Sequence, residues 1–303
     1  MPFFSNPTSG RGFFSFGPGV PRELSWIMGA GGGGSGRQQQ LVFYDRSKPW
    51  RDPPVWQIWG QPVACGGGGG GGYRSGRTGE YSGRNSSSLG EISVTAGTNY
   101  FVRIGAGGNG GANVQNNGSN GGTSEFAGYS ASGGGGGGFG CCNGGTNGIS
   151  GGCGGGAGGS VNYDFNCYAD REPWNYAVNG SCGSGIPGSG ASGQGFNGGG
   201  VAGGGAGAAG SGSTGGAGIT STISGSSVQR SKGGSWGIST DPGTNTGNGG
   251  NAYWGSQRGG SGFVIIRFTG RMPNIGAGLT YTVATLGAET VITFTSGTDY
   301  ISW

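Results

Sequence analysis

Glycine runs at Gly31–Gly34, Gly66–Gly72 and Gly133–Gly138 punctuate an array that extends from Gly29 to Gly262. Glycine makes up 85 of 303 residues, so the first question is what a backbone with so few side chains can fold into. Two answers compete. An unpatterned excess of Gly, Pro and Ser ordinarily marks a flexible low-complexity linker. The other answer is a bundle of extended helices of the polyproline-II type. Such a chain makes no internal hydrogen bonds, rises about 3.1 Å per residue and points its amides outward, three residues to the turn. Where most positions are glycine, neighbouring helices approach closely enough to pair amide with carbonyl between rods. Collagen places glycine at its crowded axis for the same steric reason. Buried backbone groups are then satisfied without α-helix or sheet, and Cα–H···O contacts add to the pairing. Glycine loses more conformational freedom on folding than any other residue, so the array needs something else to hold it.

Composition chooses between the two. Eight Trp, 11 Tyr and 14 Phe sit between the glycine runs and near the chain ends, where a linker has no use for them. Charged residues are only 9%, too few to keep the chain dissolved as a coil in the manner of disordered segments. The expected fold is mostly irregular or all-β: a polyglycine-II helix bundle, or sandwich, flanked by short β-strands and hairpins, with little or no α-helix.

The net charge of +4 is mild, and 14 of the 16 basic residues are Arg, scattered along the chain. Nucleic-acid binding calls for a basic stripe, and none is present. No apolar run approaches the roughly 20 residues of a membrane-spanning helix. The opening Met1-Pro-Phe-Phe-Ser5 lacks the basic and apolar regions of a secretory signal. Six cysteines (Cys65, Cys141, Cys142, Cys153, Cys167 and Cys182) occur with no histidine and no CxxC pair, which argues against a metal site. An even count in a loop-rich chain permits disulfides, with Cys167–Cys182 the natural local pair; the alternative is buried free thiols.

Three segments follow in order. Residues 1–28 are an N-terminal lead or attachment segment. Its phenylalanines (Phe3, Phe4, Phe13, Phe14 and Phe16) either pack under the array or anchor a partner subunit, and Leu24–Met28 reads as a strand. Residues 29–268 are the glycine-rich polyglycine-II domain with inserted loops. Within it Leu41–Tyr44 and the alternating Val55–Trp59 read as strands, and Glu91–Thr95 with Asn99–Ile104 as a hairpin about Ala96-Gly97-Thr98. Irregular spacing of the glycine runs predicts parallel or antiparallel rods joined by loops of variable size, not a fixed-period solenoid. Phe263–Phe268 is the clearest strand. Residues 269–303 are a C-terminal β-hairpin appendage, built from Thr280–Ala284 and Thr290–Thr295, with an uncharged edge expected to pair with something.

Four pieces in this order resemble the glycine-rich domain of bacteriophage tail-fibre and related virion proteins. They are the strand entering Gly29–Gly34, then Ser93–Gly108, Gly121–Phe126 and Gly259–Phe268. The array also looks like the adhesins at the tips of T-even-type long tail fibres, in which stacked polyglycine-II helices form a sandwich and loops contact the host receptor. Thr280–Trp303 is similar to the C-terminal strands of cyanophage fibre-like proteins. Two departures stand out: the segment before Gly29 is shorter than the attachment domain of those adhesins, and the six cysteines are outside the pattern. The resemblance implies a place in the virion, on a tail fibre or the particle surface, extracellular after lysis. The implied partners are a host cell-surface receptor (a glycan or an outer-membrane protein), other virion proteins and further copies of the chain, as in a trimer.

No chemistry competes with binding. A phosphate loop needs G-x-x-x-x-G-K-[ST] between strand and helix, whereas Gly66–Gly72 runs into Tyr73 and Arg74. Without histidine, acid–base catalysis needs paired carboxylates. Asp164, Asp170 and Glu172 share one loop, where acids more often solvate the tip. No enzyme activity, cofactor, nucleic-acid partner or membrane insertion is expected. The excursion from Val161 to Cys182 carries the main candidates: Tyr163, Phe165, Tyr168, Arg171, Trp174 and Tyr176. Aromatic, Asn-rich loops on a rigid scaffold gain contact area at low entropic cost. Trp50, Trp56 and Trp59 make a second candidate surface. The competing roles are intersubunit packing or shielding of the flank for the excursion, and capping of the bundle's apolar end for the tryptophans. The reading is a tail-fibre or fibre-tip adhesin. The alternatives are an architectural capsid or tail part and, more distantly, an ice-binding glycine-helix protein, which would want flatter faces than these bulky loops offer.

Overall fold

An extended chain with three residues per turn presents its N–H groups in three directions, and residues 30–36 use all three. In the computed structural model, Ala30, Gly33 and Gly36 donate to the carbonyls of Gly72, Gly69 and Gly66. Gly31 and Gly34 donate to Gly122 and Ser119, and Gly32 and Ser35 to Gly260 and Gln257, all at 2.9–3.1 Å. The carbonyls of the same rod serve three further neighbours. Gly31 and Gly34 accept from Gly134 and Gly137, Gly32 and Ser35 from Gly108 and Gly111, and Gly33 from Gly250. Six rods therefore surround 30–36, and each bonds the next around the ring: Gly69 to Gly135, Gly121 to Gly134, Ser119 to Asn109, Gly259 to Gly108, Gly260 to Asn248, and Gly68 to Gly250. Rod 66–72 is the centre of a second hexagon, which includes rod 30–36 and shares two neighbours with the first, 132–138 and 247–252. Its remaining partners are 152–158, 201–206 and 231–235, through Gly67 to Val201, Gly156 to Gly67 and Gly234 to Gly68. The expected polyglycine-II bundle is present. The structure describes residues 23–36, 65–111, 116–140, 145–159, 185–252 and 257–303, with 42–44 and 57–59 as backbone.

Close approach is what demands glycine in these rods. A Cβ on Gly31 would lie 1.9 Å from the Ala106 carbonyl oxygen, one on Gly33 2.1 Å from that of Gly135, and one on Gly68 2.0 Å from that of Gly33. None of these three has a positive φ. The residue is selected by its missing side chain, and its conformational freedom is only a cost.

At one end the rods continue into strands. In chain order these are β1 (Glu23–Gly29), β2 (Val42–Tyr44), β3 (Gln57–Trp59), β4 (Tyr73–Ser75), β5 (Ile92–Ser93), β6 (Asn99–Arg103) and β7 (Ser124–Phe126). There follow β8 (Tyr129–Ala131), β9 (Ile219–Ser221), β10 (Val228–Arg230), β11 (Phe263–Thr269), β12 (Asn274–Ile275), β13 (Leu279–Leu286) and β14 (Glu289–Ser302). Among the described residues the sole helical piece is a 3₁₀ turn, Gly83–Asn85. A 10-stranded sheet has the order β4-β1-β11-β14-β6-β7-β8, with β5 on β1 and both β12 and β13 on β14. Arg74 Nε of β4 reaches the Ser130 carbonyl of β8 at 3.3 Å, so the sheet is nearly closed.

Alternation along β1, β11 and β14 loads both faces of this sheet. Trp26, Met28, Val264, Ile266, Phe268, Ile292 and Phe294 enter one core, while Ile27, Phe263, Ile265 and Val291 enter another with Tyr73 and Ile223. Double burial explains why Phe263–Ile266 reads as a continuous apolar run. Trp26 also stacks on Tyr129 at 4.8 Å between centroids. Two expectations for the strands come out differently. The hairpin expected over Glu91–Ile104 does not form: β5 pairs with β1, and β6 with β14 and β7. The Gly97 amide donates to the Trp303 carbonyl at 2.7 Å, and larger apolar faces than each other's draw the two strands apart. The β13–β14 hairpin does form, but β14 runs on through the middle of the sheet, between β11 and β6.

Gly68→Ala should cost about 3 kcal/mol or more, at the upper end of overpacking penalties, because backbone on a neighbouring rod must move. Gly79→Ala, where φ is +82° and nothing lies within 4 Å of the added carbon, should cost only the left-handed strain of about 1 kcal/mol. Urea midpoints compare them; equal losses would refute selection by close approach.

Candidate binding surface

Rod direction decides at which end of the bundle each rod begins and ends. Rods 30–36, 105–111 and 132–138 start from β1, β6 and β8 and run away from the sheet. Rod 152–158 is parallel to 132–138, through Gly135 to Cys153 and Gly138 to Gly156. Rod 247–252 is antiparallel to 257–262, which runs into β11. The described stretches of rod end at Gly36, Gly111, Gly140, Gly159 and Ala252, and begin again at Cys65, Asn116, Gly145, Gly185 and Gln257. Every one of these described rod ends stands opposite the sheet. Their roots are neighbours: Gly36 bonds Gly66 at 2.9 Å, Gly66 bonds Gly138 at 2.7 Å, Gly138 bonds Gly156 at 2.9 Å, and Gly185 bonds Gly158 at 3.0 Å. The two segments that carry the aromatic candidates are thus rooted on adjacent rods.

Polar side chains finish the bundle's flanks. An outer rod has amides with no further rod to meet, and Asn or Ser oxygens stand in for the absent carbonyl. Asn147 Oδ1 accepts from Ile186 N (2.8 Å) while the next amide, Gly148, donates back to the Ile186 carbonyl (2.9 Å). Ser150 and Gly151 grip Ser189 in the same way, Asn248 and Gly249 grip Lys232, and Asn251 and Ala252 grip Ser235. Between antiparallel rods the grip is offset by two residues. Asn120 accepts from Gly136 while Gly121 donates to Gly134, and Asn117 accepts from Phe139 while Gly118 donates to Gly137. Nδ2 of Asn117 and of Asn120 then donates to the carbonyls of Asn147 and Ser150, which ties successive outer rods into two ladders three residues apart. The signal was present in the sequence as Asn117-Gly-Ser-Asn120, Asn147-Gly-Ile-Ser150 and Asn248-Gly-Gly-Asn251, but it reads as loop composition until the rods are known.

Of the aromatic candidates, Tyr163, Phe165, Tyr168, Arg171, Trp174, Tyr176, Trp50 and Trp56 lie outside the described residues, as do Cys167 and Cys182. Trp59 is placed only as backbone, in β3, opposite Val42 of β2. The described acids are dispersed onto separate partners: Glu125 on Arg103 at 2.7 Å, Glu80 on Arg77 at 3.5 Å, and Glu289 on Arg267. Glu80 also accepts from the Thr222 amide at 3.1 Å, and burial pushes the Tyr73 hydroxyl beside it above the ordinary range. Arg230, over the Phe263 ring at 5.1 Å, is lowered by burial. These groups pin the β9–β10 hairpin to the sheet end, away from the segment roots. Among the described residues no group of three or more His, Cys, Asp or Glu could hold a metal ion, and no helix is long and apolar enough to cross a membrane.

A family model described as a glycine-rich domain matches residues 50–269. No curated protein and no solved structure matches the chain.

Two outcomes follow from these contacts. Asn120→Ala should cost about 1–2 kcal/mol by leaving a part-buried amide unpaired, and should speed hydrogen exchange at Gly136 while sparing Gly33; unchanged exchange at Gly136 would remove the stand-in role. Cys153, fully buried with its thiol pushed up to about 12, should resist alkylation until the protein unfolds. Labelling of Cys153 in native protein, read by peptide mass, would count against a closed bundle.

Proposed function

The chain belongs to the glycine-rich domain family, and from that premise we propose that it is a non-enzymatic virion protein of a tailed bacteriophage, a tail-fibre or fibre-tip adhesin. In this reading it binds a host cell-surface receptor, a glycan or an outer-membrane protein, and needs no cofactor. The observation that carries it is the shared end: the described rods that flank residues 37–64 and 160–184 have those ends opposite the sheet, on adjacent rods. A scaffold with its backbone bonded in three directions holds such roots rigidly, and function concentrates on loops so held. In this reading contact area comes from Tyr163, Phe165, Tyr168, Arg171, Trp174 and Tyr176, with Trp50, Trp56 and Trp59 as a second set. Several copies on one particle, as in a trimer, multiply a modest affinity per copy.

A second reading, an architectural part of capsid or tail, has one observation in its favour. β13 is an edge strand with no charge or proline, exposed along nearly its whole length, including Tyr281 and Val283. Such an edge is suited to pairing with another virion protein.

Fluorescently labelled protein on host cells, with an adsorption-blocking assay, tests the proposal. Saturable binding that Trp174→Ala/Tyr176→Ala loses is the expected result. Binding retained by that variant moves the site to the tryptophan segment. No binding by folded, correctly assembled protein leaves the architectural reading.

A further inference from the structure

Asn–Gly is the pair most prone to spontaneous deamidation, because glycine offers no Cβ to obstruct its own backbone nitrogen. That nitrogen, after losing its proton to solvent, attacks the asparagine Cγ. The bond to the side-chain nitrogen breaks, and this nitrogen takes up a proton and leaves as ammonia. Water then opens the five-membered imide at either carbonyl, giving aspartate or isoaspartate. The reaction requires a carboxamide free to turn and an attacking nitrogen free of other bonds.

The chain has eight Asn–Gly pairs, of which those at 109, 117, 120, 147, 197 and 248 are described. Five are held at both reacting groups. The attacking nitrogens of Gly118, Gly121, Gly148, Gly198 and Gly249 donate to the carbonyls of Gly137, Gly134, Ile186, Gly188 and Lys232 at 2.8–3.0 Å. The matching Oδ1 atoms of Asn117, Asn120, Asn147, Asn197 and Asn248 each accept a rod amide. The sixth differs. Asn109 is exposed, and neither its carboxamide nor the Gly110 amide finds a partner among the described residues. Only the amide and carbonyl of Asn109 are held, both by Ser119.

We propose that Asn109 is the modification site among the described Asn–Gly pairs of the native protein: it deamidates while the five gripped asparagines are protected by the bundle. Conversion puts a carboxylate on the outer face of rod 105–111, and the isoaspartate product adds a carbon to the backbone where the rod's three-residue phase is set.

The test incubates the folded full-length protein at mildly alkaline pH and follows each peptide by mass spectrometry, with a parallel sample in denaturant. In the native sample Asn109 should convert about tenfold or more faster than any of the other five, the ratio expected when their reaction waits on local opening. In denaturant the six should react at similar rates. Gly110→Ala should slow conversion at Asn109 and leave the others unchanged. Native conversion of Asn117, Asn120, Asn147, Asn197 or Asn248 at the rate of Asn109 would overturn the assignment, as would an Asn109 no faster in the folded protein than its five counterparts.

Discussion

Each residue of a three-fold extended helix points its amide at a different neighbour from the one before, and no hydrogen bond within the rod relieves the requirement. A single rod is therefore no structure in isolation. An interior rod needs three neighbours for its N–H groups and three for its carbonyls, and residues 30–36 and 66–72 have them. Magnitudes say why this is not enough. Ordering one residue's backbone costs about 1–2 kcal/mol, with glycine at the high end, while an intramolecular hydrogen bond returns a net of about 0.5–1.5 kcal/mol. The array alone comes out near balance or below it. The surplus has to come from apolar burial, at about 1.5–3 kcal/mol for each large side chain. That is supplied where Trp26, Phe126, Phe263, Phe268, Phe294 and their neighbours pack around the sheet. The sheet holds the bundle, and the bundle gives the sheet's strands their continuation.

At the flanks the same requirement meets solvent, and the side chains take over. Asparagine is suited to this because its carboxamide carries an acceptor and two donors. It can replace the missing carbonyl and still reach a further rod, as Asn117 and Asn120 do. The grip falls on a single residue between parallel rods and is offset by two between antiparallel ones. Polar residues that resemble a loop in the sequence are, in space, the outermost layer of the array.

Much of the architecture was legible from residues alone. Runs of glycine with too little charge for a coil pointed to packed rods. β1, β11 and the β13–β14 pair follow from alternating or continuous apolar stretches. What could not be read was which rod meets which, since glycines are interchangeable letters and their partners lie up to a few hundred residues away, as Ser35 and Gln257 do. Ile92–Ser93 and Asn99–Arg103 were misjoined for a related reason. A short turn between two β-prone stretches is a local signal, and the wide apolar faces of β1 and β14 outweigh it. The common end of the rods that flank 37–64 and 160–184 was equally hidden, because it depends on the direction of every rod.

Strand and rod are one chain, so their registers are one register. In β1–β11 Gly29 stands opposite Phe263, and three residues on, in the rods, Gly32 donates to Gly260. A slip of one residue would turn each strand's side chains to the wrong face and, since the rod repeats every three, rotate each amide by a third of a turn toward the wrong neighbour. Periods of two and three must agree at each junction, so the rod–strand junctions themselves tolerate no inserted or deleted residue. The β7–β8 turn at Ala127-Gly128, both at positive φ, is as short as a hairpin allows. At the opposite end no such lock applies. Two rods already fixed by their six-fold surroundings can be joined by a segment of any length, at a closure cost that grows only logarithmically. The bundle thus has one end where sequence is constrained by two periodicities and one where a connecting segment of any length or composition costs the fold almost nothing.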